Sequence, residues 1–344
     1  MTTYPFPAAS RLAVVHTDDY AHWVFNPTHP TQGRRFLNAH RLLRELAPDV
    51  GVELVEIESD LLPDLSLLET VHDREYIESV VLDGRCGEWE GPRPDLGKLA
   101  LRMAGGTLLA AQSLLDGSAH TAVHFAGAKH HAMQDRSSGF CVFNDLAITA
   151  KHLLDHHFTY WHHVWQREVA IKRIAILDID AHHGDGVEAL LEDDQRVLTF
   201  SVHDRSIFPG TGLDDDLDRH VFNVPLEPGA GDYELFDQVA MFVGVADIFC
   251  PDLIVIAMGA DGHAEDPLST LQYSTDMLAE SVRFVRSSFK ETPILLGGAG
   301  GYLPDSVTPE AWARMALAAA QPVAEGDEAF CVLDGFPYDP HPVD

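Results

Sequence analysis

Charged and histidine side chains crowd the segment DIDAHHGDG, residues 178–186, which directly follows the apolar run RIAIL. Alternate side chains of an extended chain point the same way, so Asp178, Asp180 and His182 share one side and His183 faces the other. A carboxylate and an imidazole two residues apart form half of a site for a divalent metal such as zinc. Charges buried this densely need partners, and a metal would supply one.

A third metal ligand must come from elsewhere in the chain. Asp261 follows the apolar run DLIVIAMG in the same way and is the candidate, although a helix cap or a turn also favours aspartate. Two carboxylates and one imidazole leave a coordination position open for water, which is typical of catalytic zinc sites. The glycines Gly184 and Gly186 let the chain turn and bring Asp185 back over the site.

Two adjacent histidines, His130 and His131, follow the strand-like run TAVHF. An aspartate that holds one imidazole N–H fixes the tautomer and raises the basicity of the other nitrogen, as a general base requires. We therefore expect two Asp–His pairs here. Tyr302 ends the glycine-rich stretch LLGGAGGY. Its phenol either stabilises an oxyanion or anchors a loop, and this stretch alone favours neither.

The elements that position these residues follow from the apolar pattern. Seven apolar runs are predicted as strands, near residues 11, 52, 121, 173, 196, 251 and 292. Segments with helical spacing lie between most of them, at 34–46, 99–115, 145–156, 233–249 and 274–289. This alternation predicts an α/β fold with three layers, in which helices flank a predominantly parallel β-sheet. Ligands bind at the carboxyl ends of strands in such folds, where the polar clusters lie.

Composition narrows the class of protein. The formal net charge is −31, which repels nucleic-acid backbones, so we expect no direct nucleic-acid partner. The acidity either maintains solubility or attracts a cationic substrate. The four cysteines lack CxxC spacing, and the first residues resemble neither a signal peptide nor a membrane anchor. We expect a cytoplasmic protein without a membrane partner, built as one domain over residues 1–344, for which an oligomer remains possible.

Five motifs together resemble the zinc-dependent histone deacetylase superfamily, which includes acetylpolyamine amidohydrolases and acetoin-utilisation proteins. They occur in the family's order over about residues 10–320, as AGAKHHAMQDRSSGFCVFND, ILDIDAHHGDGVEALL, VLTFSVHDRSIFPGTG, MGADGHAEDPLSTLQYST and GGAGGY. The resemblance implies an arginase/deacetylase-like fold. It also implies a metal-dependent hydrolase that removes acetyl or other small acyl groups from acyl-lysine or a related cationic amine.

The resemblance assigns metals to particular residues. It implies one zinc ion, or alternatively ferrous iron, bound by Asp180, His182 and Asp261. It also implies a structural potassium ion, held by Ser201 and by the backbones of Asp178, Asp180, His182 and Val202.

The resemblance also assigns catalytic roles. It implies that His131, paired with Asp185, is the general base acting on a metal-activated water. His130, paired with Asp178, would be its electrostatic partner, and Tyr302 would polarise the scissile carbonyl and stabilise the oxyanion.

Four further positions match the substrate site of the family. Gly139, Phe140 and Phe208 match the walls of a narrow acyl-lysine tunnel, and Leu268 matches its rim. Polyamine-preferring relatives often carry glutamate where Leu268 stands, so the leucine favours acyl-lysine or another small amide. The nearby Glu265 keeps an acetylpolyamine substrate open.

Other functions compete with this one. A manganese ureohydrolase of the arginase type needs D-x-H-x-D spacing, whereas Asp185 lies five residues after Asp180. A catalytically silent acyl-lysine- or acetate-binding module usually lacks a ligand, the base or the tyrosine, and this sequence keeps candidates for all of them. The histidine-rich segment 152–163 is predicted to be a solvated helix end or insertion rather than a surface metal site.

Overall fold

The computed structural model describes residues 10–162 and 167–321. At its centre lies an eight-stranded sheet in which each neighbouring pair of strands is parallel. Its strands are β1 (Ser10–His16), β2 (Val52–Glu58), β3 (Thr121–His124), β6 (Ile174–Asp178), β7 (Val197–Asp204), β8 (Val221–Leu226), β9 (Leu253–Ala257) and β10 (Ile294–Gly297). Two further strands, β4 (Thr159–His162) and β5 (Arg167–Ala170), pair antiparallel outside it.

The strand order of the sheet is β2-β1-β3-β10-β9-β6-β7-β8. Strands β3, β10, β9 and β6 therefore lie side by side in the middle, and all of their residues are buried. Apolar side chains on both faces are what a parallel sheet covered by helices requires. The register aligns the last residues of these four strands in one row, consisting of His124, Gly297, Ala257 and Asp178.

Helices flank this sheet. They are α1 (Arg34–Leu46), α2 (Leu65–Leu68), α3 (Arg74–Val81), α4 (Pro94–Leu115), α5 (Asp145–Asp155), α6 (Asp185–Leu191), α7 (Asp232–Phe249), α8 (Thr275–Ser288) and α9 (Val307–Ala320). Local chemistry fixes several starts. Asn144 and Ser274 cap α5 and α8 by accepting backbone N–H groups, and Pro94 opens α4, where a missing N–H costs nothing.

The predicted α/β fold with a predominantly parallel, helix-flanked sheet is confirmed. The sequence pattern did not predict β8, the β4–β5 hairpin or α9. In the described residues, no helix has both the length and the apolar composition needed to cross a bilayer. The single-domain organisation stays a prediction.

The histidine-rich segment begins in the last turn of α5 and continues into the β4–β5 hairpin. The His152 and His156 rings lie 4.7 Å apart, centroid to centroid, and His162 is buried. Within the described ranges these histidines do not form a group of three metal-ligand atoms. His163 lies outside the described residues.

Candidate active site

The three predicted zinc ligands lie together at the carboxyl end of the sheet. Asp180 and His182 follow β6, Asp261 follows β9, and all three side chains are buried. Each offers one ligand atom, and these atoms lie within 4.8 Å of one another. His182 Nδ1 is 3.1 Å from Asp180 Oδ1 and 3.0 Å from Asp261 Oδ2. Oxygen and nitrogen donors in this number suit zinc with an open coordination position.

Backbone amides orient the two carboxylates. Asp261 Oδ1 accepts from the backbone N–H of Ala181 at 2.9 Å, and Asp180 Oδ2 accepts from that of Gly300 at 2.5 Å. A Cβ at Gly300 would overlap the Oδ2 atoms of both aspartates. The loop after β10 therefore needs glycine at this position to approach the cluster.

The electrostatics of the cluster fit a cation. Burial works to lower the pKa of His182, but its hydrogen bonds to Asp180 and Asp261 and their charges raise that pKa to about 11. Two buried carboxylates thus hold a positive charge on the imidazole. A divalent metal satisfies the same requirement, with neutral His182 as a ligand.

Both expected Asp–His pairs are present. His130 Nδ1 lies 2.7 Å from Asp178 Oδ2, and His131 Nδ1 lies 2.7 Å from Asp185 Oδ1. Asp178 is the last residue of β6 and Asp185 the first of α6, so one strand–loop–helix unit supplies both carboxylates. The two histidine rings lie 4.0 Å apart, and the His131 ring lies 6.0 Å from that of the metal-ligand candidate His182.

The two histidines differ in charge. Burial opposes a charge on His130, but Asp178 and Asp180 outweigh it and raise the pKa of His130 to about 9. Burial and the neighbouring charged His130 lower the pKa of His131 to about 4. At neutral pH His130 is therefore cationic and His131 is neutral. A neutral imidazole whose Nδ1–H is held by Asp185 presents a free Nε2 that can accept a proton.

Tyr302 faces the same cluster. Its ring centroid lies 6.5 Å from that of His182 and 6.0 Å from that of Phe140. Burial, together with the charges of Asp261 and Asp180, raises the pKa of the phenol well above its usual range. The hydroxyl is therefore protonated at neutral pH, and it can donate a hydrogen bond.

The predicted tunnel residues surround His131 and Tyr302 in part. Gly139 has a left-handed backbone, φ 52°, and a Cβ there would overlap the His131 ring. The Phe208 ring lies 5.1 Å from that of His131 and is 49% exposed, which places it at the opening of the site. Leu268 is half-buried, and its backbone N–H donates to Asp266.

The sequence did not predict two carboxylates that support the site. Asp266 accepts from the backbone N–H of Tyr302 at 2.7 Å and from that of Leu268 at 3.0 Å, so it ties the rim loop to the tyrosine. Glu88 accepts from the backbone N–H of Phe140 at 3.1 Å, which supports a predicted tunnel wall. No local spacing marks either residue, because each bonds to a residue far away in the chain.

Contacts of three predicted potassium ligands can be described. Asp178 and Ser201 are register partners on β6 and β7, and Val202 is buried beside them. Ser201 Oγ lies 3.0 Å from His203 Nδ1. The potassium site stays a prediction.

A family model described as the histone deacetylase domain matches residues 29–319. The chain belongs to the histone deacetylase domain family. The resemblance read from the motifs is thereby confirmed, and the matched span contains all of the predicted site residues.

Curated relatives in the family carry the name acetoin utilization protein AcuC. The protein of that name from Bacillus subtilis (strain 168) is 31% identical over 88% of this chain and 80% of its own length. The one from Staphylococcus aureus (strain MRSA252) is 29% identical over 92% of this chain and 84% of its own. The one from Staphylococcus xylosus is 27% identical over 88% and 81%, respectively.

Proposed function

We propose that the protein is a metal-dependent amidohydrolase that removes an acetyl or another small acyl group from acyl-lysine or a related cationic amine. The observation that carries this proposal is the meeting of the Asp180–His182–Asp261 cluster with a neutral, aspartate-held His131. A buried ligand set with an open position and an adjacent base is what hydrolysis by activated water requires. Membership of the histone deacetylase domain family favours an acyl-amine substrate.

Asp180, His182 and Asp261 would hold the metal, for which zinc is proposed and ferrous iron is the alternative. When bound, the metal supplies Lewis-acid activation of a water molecule and of the amide carbonyl. We also propose that Asp178, Ser201 and the neighbouring backbone hold a potassium ion, which would offset the clustered carboxylates.

The remaining steps belong to side chains of the chain itself. His131 accepts the proton of the attacking water at Nε2, while Asp185 holds its Nδ1 and stabilises the imidazolium that forms. Burial, together with the positive charge of His130, keeps His131 neutral before the reaction. Tyr302 donates its O–H to the developing oxyanion. His131 then returns the proton to the leaving amine, and the carboxylate and the free amine are released.

The test is a turnover screen with and without a chelator. Peptides with an acetyl-lysine are expected to release acetate, and acetylated polyamines are the competing substrate class because Glu265 is exposed on the rim loop. Chelation is expected to abolish turnover, and re-addition of zinc to restore it. The Asp261→Asn variant removes one candidate metal ligand, and it is expected to lose both bound metal and activity.

Three results would change the assignment. Absence of turnover on each substrate at full metal occupancy would favour the silent acyl-lysine-binding module. Two manganese ions per chain would favour a ureohydrolase. Turnover of acetylated polyamines alone would move the substrate away from acyl-lysine.

A further inference from the structure

Two fully buried cations take no part in the proposed mechanism. Arg35 is 3% exposed and Lys129 is 5% exposed. The Arg35 side chain makes one hydrogen bond within the described part of the chain, from Nη1 to the carbonyl of Gly301 at 2.7 Å, and its buried Nε has no partner. The Lys129 ammonium lies 5.3 Å from the centroid of the Phe36 ring, and no described carboxylate pairs with it.

Buried charges without counter-charges are costly, so this arrangement requires an explanation. The two cations also repel each other. Burial and this repulsion from Arg35 lower the pKa of Lys129 to about 8. The nearby Asp145 compensates them only in part. Its charge favours the charged form of Lys129, but its carboxylate oxygens accept from Thr107 and from the backbone N–H groups of Ala128 and Lys129 rather than from either cation.

Asp180 of the candidate metal cluster attracts both cations as long as no metal is bound. Asp180 and Asp261 are the two anionic members of that cluster. Their two negative charges would be neutralised by a divalent metal. With Asp145 counted against the two cations, one positive charge would therefore remain around Arg35 and Lys129 when the metal is bound.

These cations lie at the inner end of the site. Arg35 bonds to the residue before Tyr302, and its Cζ lies 5.7 Å from the Tyr302 ring centroid. Lys129 directly precedes His130. Exposure falls from 49% at Phe208, at the opening, to almost zero at both cations. Both also lie close to one ring, at 5.0 and 5.3 Å from the Phe36 centroid.

We propose that Arg35 and Lys129 bind a carboxylate at the far end of the acyl group, so that the preferred substrates are acyl-lysines of the malonyl or succinyl type. This inference rests on the proposed function. The carboxylate oxygens accept from Arg35 Nε and Lys129 Nζ, which leaves neither cation unpaired. The aromatic surroundings exclude water and thereby strengthen these hydrogen bonds.

The reaction balances as a simple hydrolysis. The amide C–N bond breaks and a C–O bond to the water oxygen forms. One water proton passes to the leaving lysine amine through His131. The products are a dicarboxylate and free lysine, and no oxidant or further reactant is needed.

The test compares two acyl groups of equal chain length on the same peptide. Succinyl-lysine and butyryl-lysine differ at the last carbon, which is a carboxylate in the first and a methyl group in the second. We expect kcat/KM for succinyl-lysine to exceed that for butyryl-lysine at least ten-fold. In Lys129→Met the ratio is expected to fall at least ten-fold, and in Lys129→Arg it is expected to be retained. The exposed Lys172, changed to Met, is the matched control and leaves the ratio unchanged.

A binding measurement separates this inference from the proposed function. In chelator-treated protein, where turnover is blocked, the succinyl peptide is expected to raise the melting temperature more than the butyryl peptide, and Lys129→Met is expected to remove the difference. If Lys129→Met does not fold, Lys129→Gln provides the same comparison.

Two outcomes overturn the inference. Hydrolysis of acetyl- and butyryl-lysine without a succinyl preference would refute it and leave the proposed function intact. A melting-temperature increase with free acetate or succinate, but no difference between the two peptides, would show that the cations bind a free carboxylate only. If no acyl-lysine is hydrolysed, the proposed function itself fails, and the binding measurement then decides about the two cations alone.

Discussion

His130 and His131 show how much the surroundings of a residue decide its chemistry. Each imidazole bonds to an aspartate at 2.7 Å, and both are buried. Their pKa values nevertheless move in opposite directions, to about 9 for His130 and about 4 for His131. Burial opposes a charge on both imidazoles. Asp178 and Asp180 outweigh it at His130, whereas at His131 the charge of His130 adds to the effect of burial. At neutral pH one imidazole is thus charged and the other is neutral, which is the form that the proposed general base requires.

Replacement of His131 by alanine tests this division. We expect kcat to fall by about 10²–10⁴-fold, because the proton acceptor is lost while the metal ligands remain. Deacetylation of an acetyl-lysine peptide measures the effect, and metal content and circular dichroism serve as controls for an intact site and fold. Turnover close to that of the wild type would exclude His131 as the base.

Tyr302→Phe removes one hydroxyl and keeps the ring. The expected loss is about 10²–10³-fold in kcat, because the donor to the oxyanion is absent in the transition state. The ring contacts with Phe140 and His182 remain, so the melting temperature should stay close to that of the wild type. An unchanged kcat would assign Tyr302 a role in anchoring its loop instead.

Several of the predicted site residues lie within five residues of the end of an apolar strand. Asp180, Asp261 and Tyr302 are of this kind. Asp266 and Glu88 are not, because their importance comes from hydrogen bonds to Tyr302 and Phe140. Contacts of this type depend on how distant segments pack, and no short motif records them.

The ends of four neighbouring strands position the residues of the candidate site. His124, Gly297, Ala257 and Asp178 end neighbouring strands in one row. The loops that follow them carry the histidine pair, the tyrosine and the metal-ligand candidates. The site therefore depends on the register of four strands rather than on any one loop.

The loop after β10 provides a test at this scale. In Gly300→Ala, the added Cβ would overlap the carboxylates of Asp261 and Asp180, so one of them must move. We expect the variant to lose bound metal and activity together, measured by metal analysis and peptide turnover. Full metal occupancy in this variant would contradict the tight approach.

A second glycine provides the matched control for that variant. Gly244 lies on the exposed side of α7, and a Cβ there meets nothing within 4 Å. Gly244→Ala should raise the free energy of unfolding by about 0.4–1 kcal/mol, because alanine restricts the unfolded chain and favours a helix. Metal content and activity are expected to be unchanged.

Asp194 links the end of α5 to the start of β7. Its carboxylate accepts from Arg196 and from Lys151, and these hydrogen bonds, with that from Arg196 the strongest influence, lower its pKa. A carboxylate with a lowered folded-state pKa contributes stability above its unfolded value near ~3.9, and that contribution is lost as the pH falls below it.

Asp194→Asn should therefore lower the free energy of unfolding by about 1–3 kcal/mol at pH 7. The difference from the wild type should shrink as the pH is lowered below about 4. Urea denaturation at a series of pH values measures it. A difference that grows toward acid would show that the carboxylate is not the stabilising form.

The predicted elements differ from the observed ones where the local pattern is weak. Strand β8 is an edge strand that contains Pro225, and a proline in an apolar run argues against a strand unless it lies at an edge. Helix α9 is buried on nearly all sides, so it lacks the polar face that marks a helix in a sequence. Both depend on their place in the finished fold.

The charge of the whole molecule also has a measurable effect. With a formal net charge of −31, the folded state repels itself, and salt screens this repulsion. Raising choline chloride from about 10 to 150 mM should raise the melting temperature by about 2–4 °C, the change that ~1 kcal/mol produces in a large domain. Scanning calorimetry measures it, and a lower melting temperature at the higher salt would contradict the argument.

A comparison of cations then tests the proposed potassium site. Choline, sodium and potassium chloride screen equally at the same concentration. A bound ion stabilises the folded state beyond screening, so potassium should raise the melting temperature further than choline does. Equal melting temperatures in the three salts would argue against a specific monovalent site.

The strand order also determines when the site comes into existence on the ribosome. Strands β2, β1 and β3 form one half of the sheet and β9, β6, β7 and β8 the other, and β10 is the strand that joins them. It is also the last strand of the sheet to be synthesised. Until residue 297 has left the ribosome, β3 and β9 each present an unpaired, apolar edge, which is a surface prone to aggregation. A nascent chain halted before β10 would therefore hold most of the proposed catalytic residues and still lack an assembled site.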